Sequence, residues 1–522
     1  MTVGSDAIVF IIYLVALLSV GIFFSRKASQ SVDSYLLGDR NIGPAVTALT
    51  MQSTSMSGYM FLGGPALAFQ QGWYAIWYAI GDAGGGIVNL SVLGKRMRRM
   101  SEILGALSPI EYLEKRFESA AVSVVGSIIS IIFLFAYVFA QFIASGKALE
   151  ALTGLPYEWA LVIGVSVIIA YTVVGGYLAV VWTDFFQGIV MVVGVLGILV
   201  MGLIHVGGLS GLNHALGQID PSYLSIWGKD LEFYGQWGVI IGAVLIYSIG
   251  YMGLPHVVVR HMSMKSTKTV KTATLWTAIY NQLFAYAPYL LGFIGIILLP
   301  NLADPEMVIP TLAYTFFPGI FAAILLSAIM AAIMSTSDSI LMQAGTILSR
   351  DVYQRFIDKK ASQTKMVRVS RLSILLAGVI GVVVAINQPP SVFALVVFAF
   401  GTLGNSFLVP YVCSVYWKNA NKIGVLCAMI GGGLTNILWT SFDWQSATAI
   451  HPFLGGLMVS ILGMIVGNRF GSTPSKPIQK AFEDAKGPRT LPKNIEKNIA
   501  RDIGPEARSI ADFIGNNAPI KG

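Results

Sequence analysis

Charge is what this chain has least of. Only 11% of its 522 residues are Asp, Glu, Lys or Arg, and 55% are hydrophobic. Soluble domains carry roughly 25% charged residues, so a chain this long cannot cover its outside with ionic side chains. A water-soluble enzyme is excluded. Cysteine is nearly missing as well: Cys413 and Cys427 both lie inside apolar runs, which removes a disulfide scaffold. The wealth of large apolar residues removes disorder and a collagen-like fibre. Histidine is sparse and scattered, at His205, His214, His256, His261 and His451. No nucleophile, base and metal-ligand set is clustered, which argues against a membrane-embedded enzyme too.

What is present in abundance is apolar runs of about 20 residues, the length that crosses roughly 30 Å of hydrocarbon. Thirteen are expected, near 6–25, 43–69, 73–94, 120–146, 156–174, 178–205, 236–259, 272–300, 308–347, 370–387, 391–417, 421–442 and 451–468. The first lacks a small-residue cleavage site and reads as an anchor helix, not a removable signal. The formal net charge of +8 then concerns topology, not nucleic acid, for which no partnership is expected. Up to residue 468, one alternate set of loops holds 22 Lys and Arg, Arg260 among them, and the other holds Lys147 and Lys229 only. A missed or invented span would scramble that split, so it supports the number of spans and the orientation together: N-terminus outside, C-terminus in the cytoplasm, in the cell membrane. Past Phe470 the chain turns rich in Pro, Gly, Lys and Glu with a weak apolar spacing at Ile495, Ile499 and Ile503, and reads as disorder or a short surface helix.

Two runs are interrupted by small and polar residues. Residues 51–59 read Met-Gln-Ser-Thr-Ser-Met-Ser-Gly-Tyr, followed by Gly63-Gly64-Pro65, and residues 250–256 read Gly-Tyr-Met-Gly-Leu-Pro-His. In lipid, irregular backbone is tolerated only where it lines a cavity or packs within protein. With the anchor helix set aside, the breaks fall in the first and sixth core helices, the placement of two inverted five-helix repeats with ligand sites at the breaks. Ordinary small-residue helix packing is the alternative. His256, beside Pro255, reads as a helix-end hydrogen bonder.

The ninth run carries Ser335-Thr336-Ser337-Asp338-Ser339. Spacings of three and four share a helix face, so the Ala332 carbonyl and the Ser335 and Thr336 hydroxyls converge, and the broken second run offers carbonyls freed at its kink. Neutral oxygens suit a hard monovalent cation such as Na⁺; hydroxyls bonding back to their own helix are the bland alternative. Three acids fall within spans, where a carboxylate is costly and functional by default. They are Asp82, in a water-filled or helix-capping setting beside Gly81 and Gly84-Gly85-Gly86, Asp184, and Asp338, which flanks the ion face.

Gly175-Gly176-Tyr177 through Trp182-Thr183-Asp184-Phe185-Phe186-Gln187, Ala331-Ala332-Ile333-Met334-Ser335-Thr336 and Gly253-Leu254-Pro255-His256 through Arg260 together resemble the sodium:solute symporter family, over about residues 6–470. The sodium/proline branch is the nearest, pantothenate symporters next. The resemblance implies an all-α integral membrane fold of 13 transmembrane helices: a leucine-transporter-type 5+5 inverted repeat with an extra N-terminal helix. The expected units are 1–42 (anchor helix and loop), 43–417 (ten-helix transport core), 418–470 (two further helices) and 471–522 (cytoplasmic tail).

The resemblance also implies site residues. The coupling sodium falls on the backbone of Ser53 and Met56 and on Ala332, Ser335 and Thr336. A second cation or a proton falls on Asp184, Asp338 and Ser339, although Asp338 stands where a serine is typical. The substrate falls on Ser57, Gly58, Tyr59, Tyr137, Tyr247, Tyr251 and Pro255. Where proline symporters carry an acidic residue and a tryptophan, this chain has Ser55 and Tyr247. The implied function is sodium-coupled import of a small carboxylate-bearing solute, proline or a similar amino acid, with pantothenate or a monocarboxylate as the alternative within the family and a transporter-fold sensor as the alternative outside it. A monomer suffices for transport on this reading.

Overall fold

The computed structural model describes residues 5–386 and 392–487, and within them regular structure is helical throughout. Long helices with exposed apolar side chains dominate. In α1 (Ser5–Ala28), Ile12, Ile22 and Phe23 are 64%, 66% and 78% exposed; water would penalise such a belt and lipid does not. Among the described residues, eight helices are long and apolar enough to cross a membrane.

The other expected runs depart from simple spans for local reasons. The second is α2 (Pro44–Ser55), a single turn Gly58–Phe61 and α3 (Gly63–Gln71). The third is α4 (Ile76–Val92). After α5 (Ala120–Thr153), the fifth and sixth runs are merged in α6 (Tyr157–Val206). At 1.5 Å per residue its 50 residues would reach about 75 Å, more than twice the hydrocarbon thickness. It is divided at Gly176, where φ 57° and ψ −155° are open to glycine and to little else.

The seventh run is likewise interrupted. α7 (Trp237–Ser248) ends in a 3₁₀ turn, Gly250–Gly253, and α8 (Pro255–Ser263) starts afresh. Pro255 supplies the first helical residue, where its missing N–H costs nothing. It also holds Leu254 extended, at φ −93° and ψ 112°. Next come α9 (Thr267–Phe284), α10 (Ala287–Leu298) and α11 (Gly319–Thr346). α11 runs on as a π-helical segment to Ile357, ten residues past its expected end. α12 (Gln363–Ala385), α13 (Val392–Tyr416), α14 (Lys422–Ser441) and α15 (Pro452–Asn468) follow, and α14 and α15 pair closely.

Part of the tail takes one of the two forms expected of it, a short helix: α16 (Lys476–Lys486) buries Ile478, Ala481, Phe482 and Ala485 and packs on the basic helix Gly94–Ile103. The Ile495, Ile499 and Ile503 spacing lies outside the described residues. Arg260 is no loop cation: it is 1% exposed. With Arg260 removed from the 22, the alternate loop sets hold 21 and 2 Lys and Arg.

Candidate functional site

The break in α2 places the site. Met56, at φ −88° and ψ 77°, leaves the helix, and the chain re-enters a helical turn at Gly58 with the Ser57 hydroxyl accepting from Tyr59 N–H. Glycine at 58 is needed for approach: a Cβ there would lie 2.8 Å from Ile333 of α11 and 3.0 Å from Gln141 Oε1 of α5.

α11 therefore lies against the break. Ser335 Oγ donates to the Ser53 carbonyl at 2.9 Å, and Thr336 Oγ1 donates to the Thr54 carbonyl at 2.9 Å. Both hydroxyls also lie within 3.1 and 3.2 Å of the Ala332 carbonyl. The back-bonded arrangement and the convergent one thus coexist: two hydroxyls and the Ser53, Thr54 and Ala332 carbonyls form one hydrogen-bonded group across two helices. Met56 marks the end of α2, and its N–H bonds Gln52 O.

One turn further along α11 is a second cluster, which has a guanidinium in it. Arg260 Nη2 donates to Asp184 Oδ2 at 3.0 Å, to Thr54 Oγ1 at 2.6 Å and to Ser339 Oγ at 2.5 Å, and Arg260 Nε donates to Thr50 Oγ1 at 3.2 Å. Thr50 Oγ1 lies 2.5 Å from the same carboxylate oxygen. Asp338 accepts from Tyr171 OH at 2.7 Å and from Ser339 Oγ at 3.2 Å. Asp184, Asp338 and Ser339, expected as one ion site, do come together, but with the Arg260 side chain already on Asp184 and Ser339. Thr50 and Thr54, four apart on one face of α2, and Tyr171 escaped the sequence reading because hydroxyls inside apolar runs usually satisfy their own helix.

The residues expected at the substrate meet on the other side of the break. Tyr137 OH and Gln141 Nε2 lie 3.3 and 3.4 Å from Ser57 Oγ, and Gly58 N–H donates to Gln141 Oε1 at 2.9 Å. Gln141, not anticipated, is an uncharged polar residue deep in α5 whose only sequence signal is that position. The Tyr59 and Tyr247 rings stack at 4.9 Å and 5°, and Tyr247 and Tyr251 both meet the edge or face of Phe400. Pro255 is buried at the start of α8. His256 bonds no helix end; both ring nitrogens are buried and unpaired, with the ring against Tyr137.

Asp82 joins this group. Tyr59 OH donates to its Oδ2 at 2.5 Å and Tyr251 OH to its Oδ1 at 2.6 Å. A cleft of about 330 Å³ lined by Gly63, Lys147, Glu306 and Phe393 approaches from one side. Phe393 packs on Tyr78 and Tyr78 on Tyr247, so a layer of rings separates that cleft from the site.

Similarity to known proteins follows the same lines. The model of the sodium:solute symporter family matches residues 35–432. The chain is 31% identical over 478 residues to the osmoregulated proline transporter OpuE of Bacillus subtilis (strain 168), covering 90% of this chain and 96% of that one. It is 30% identical over 465 residues to a sodium/proline symporter of Staphylococcus aureus (strain JH9), covering 87% and 89%.

Among solved structures, the fold matches a Na⁺-coupled sialic acid symporter in its substrate-bound outward-open state. That match has a TM-score of 0.75 and 22% identity, over 90% of this chain and 98% of that one. It also matches a closed nucleobase-cation-symport-1 family transporter with bromovinylhydantoin bound, at TM-score 0.56 and 15% identity, over 86% and 98%. These neighbours have the leucine-transporter-type fold, and the relatives are transporters, not enzymes. With a helix break facing hydroxyls on α11, that fold, and a family match over most of its length, the chain belongs to the sodium:solute symporter family.

Proposed function

We propose that this protein is a sodium-driven symporter of the cell membrane that imports a small carboxylate-bearing solute, proline or a similar amino acid, by alternating access. The observation that carries this reading is the convergence of Ser335 Oγ and Thr336 Oγ1 on the Ser53 and Thr54 carbonyls at the α2 break. Sodium takes the oxygens of Ser53, Met56, Ala332, Ser335 and Thr336, exchanging two hydroxyl-to-carbonyl bonds for ion contacts that tie α2 to α11. Because the ion binds only where the two helices face each other, it favours one conformational state, which is what coupling requires. The substrate sits among Ser57, Gly58, Tyr59, Tyr137, Tyr247, Tyr251 and Pro255. Relatives named as proline transporters support the amino-acid assignment.

Asp184, Asp338 and Ser339 form the place for a second cation or a proton. Arg260 pairs with Asp184, while Asp338 beside it is held only by hydroxyls, so a cation or a proton is what its carboxylate would take inside the membrane. The finer architecture belongs to the same proposal: thirteen spans, a 5+5 inverted repeat at 43–417 begun by each broken helix, N-terminus outside, C-terminus cytoplasmic, and a single chain as the transport unit. The test is radiolabelled proline uptake into proteoliposomes under a sodium gradient. Ser335→Ala with Thr336→Ala removes two of the five oxygens. Each charge-assisted contact is worth about 1.5–3 kcal/mol, so half-saturating sodium should rise at least about 100-fold with membrane insertion intact. Unchanged sodium dependence refutes the site.

A further inference from the structure

Asp82 is used by neither the sodium oxygens nor the Arg260 cluster. It is fully buried in the middle of α4, and among the described residues no Lys, Arg or His side chain forms an ion pair with it. A carboxylate carried into a membrane interior without a counter-charge is expensive, and hydroxyl donors offset only part of that. The chain nevertheless builds a setting for it. Asn281 Nδ2 donates to the Asp82 and Ala83 carbonyls at 3.0 and 3.2 Å, which fixes α4 against α9. Gly85 lets the broken seventh run come close: a Cβ there would lie 2.2 Å from the Tyr247 carbonyl and 2.5 Å from the Tyr251 ring.

Two further observations point to a ligand. Buried polar atoms without a partner lie near the carboxylate: the hydroxyls of Tyr247 and Tyr289, both within reach of its charge. Tyr251 OH also spans from Asp82 Oδ1 at 2.6 Å to the Ser55 carbonyl at 3.2 Å. The α4 carboxylate therefore stands beside the helix break at Ser55.

We propose that Asp82 is the specificity-determining anion of the substrate site, pairing with a protonated amine of the solute. The substrate class is then a zwitterionic α-amino or α-imino acid. The tyrosine faces of 59, 247 and 251 shelter the cationic nitrogen, and the solute's carboxylate is held elsewhere in the site. This deepens the symport reading and rests on it.

The test uses the full chain, purified, with thermal stabilisation measured in sodium or potassium. The probes are amino acids and their nitrogen-free counterparts: L-proline against cyclopentanecarboxylate, L-alanine against propionate, and pantothenate. The protein should be stabilised by an amino acid in sodium, with at least a 100-fold preference over its counterpart. Asp82→Asn should cut that ratio at least tenfold, and Asp82→Glu should restore most of it. Tyr59→Phe and Tyr251→Phe should lower it severalfold, which keeps the test open if the asparagine variant does not fold. An unchanged ratio in Asp82→Asn overturns the proposal. So does a wild-type preference for pantothenate or a nitrogen-free acid in sodium, which leaves symport standing. A changed sodium response with the ratio intact gives the carboxylate to an ion instead. If no solute stabilises the wild type differently in sodium and potassium, the symport reading itself fails, and this inference with it.

Discussion

Replacing Asp184 by asparagine keeps the shape of the side chain and removes one charge from a pair that is 0–1% exposed and 3.0 Å apart. At an effective dielectric of 20, that separation corresponds to about 5 kcal/mol of attraction. Part survives, because Thr50, Thr54, Ser339 and the His256 carbonyl still accept from the guanidinium. Removing one partner of a buried pair costs about 3–5 kcal/mol, and these retained acceptors place Asp184→Asn near the lower figure, ~3 kcal/mol, or about two orders of magnitude in the unfolding equilibrium. The assay is equilibrium unfolding in mixed micelles, run as a double-mutant cycle with Arg260→Met. The doubly neutral variant should recover at least ~2 kcal/mol relative to the sum of the single changes. Additive single effects, or an Asp184→Asn cost below about 1 kcal/mol, would refute the ion pair as the organising contact of this cluster.

Beyond the sodium-site and Asp82 variants, two further outcomes are expected. Gly176→Ala forces a side chain onto φ 57° with its Cβ 2.8–2.9 Å from the Tyr35 ring and carbonyl; it should cost more than ~2 kcal/mol and lower the yield of folded protein in detergent, measured by size-exclusion chromatography. On the loop side, burial pushes the Glu111 carboxyl up, but Arg350, 3.0 Å away, and Lys115 hold it below the usual carboxylate range. A lowered native value contributes stability above the unfolded value that is lost as pH falls through the native one. Glu111→Gln should therefore cost about 1 kcal/mol at pH 7, and in thermal unfolding the gap between wild type and variant should begin to close as pH falls below the unfolded carboxyl's ~4.3 and vanish once the native carboxyl is protonated.

Much of this architecture is legible along the chain. Apolar length finds the long helices, and glycine, serine and proline at 51–65 and 250–256 mark both breaks because irregular backbone in lipid needs such residues. The spacing of Ala332, Ser335 and Thr336 foretells a shared face, since a helix repeats every 3.6 residues whatever surrounds it. Positive-inside counting places Arg260 in a loop because it treats any cation at the end of an apolar run so; its partner Asp184 is 76 residues away. Gln141 and Thr54 give no local signal either, for their partners lie on other helices.

Local, periodic information is therefore carried along the chain: an all-helical membrane protein, where its helices break, which helix face carries oxygens, and which acids the membrane would not tolerate idle. Which of those acids meets a charge, and which meets only hydroxyls, follows from how distant helices pack. Asp184 meets a guanidinium and Asp82 meets two phenols. Charge pairing in a low-dielectric interior depends on separations of about 3 Å between residues far apart in the chain, and no local pattern carries that information.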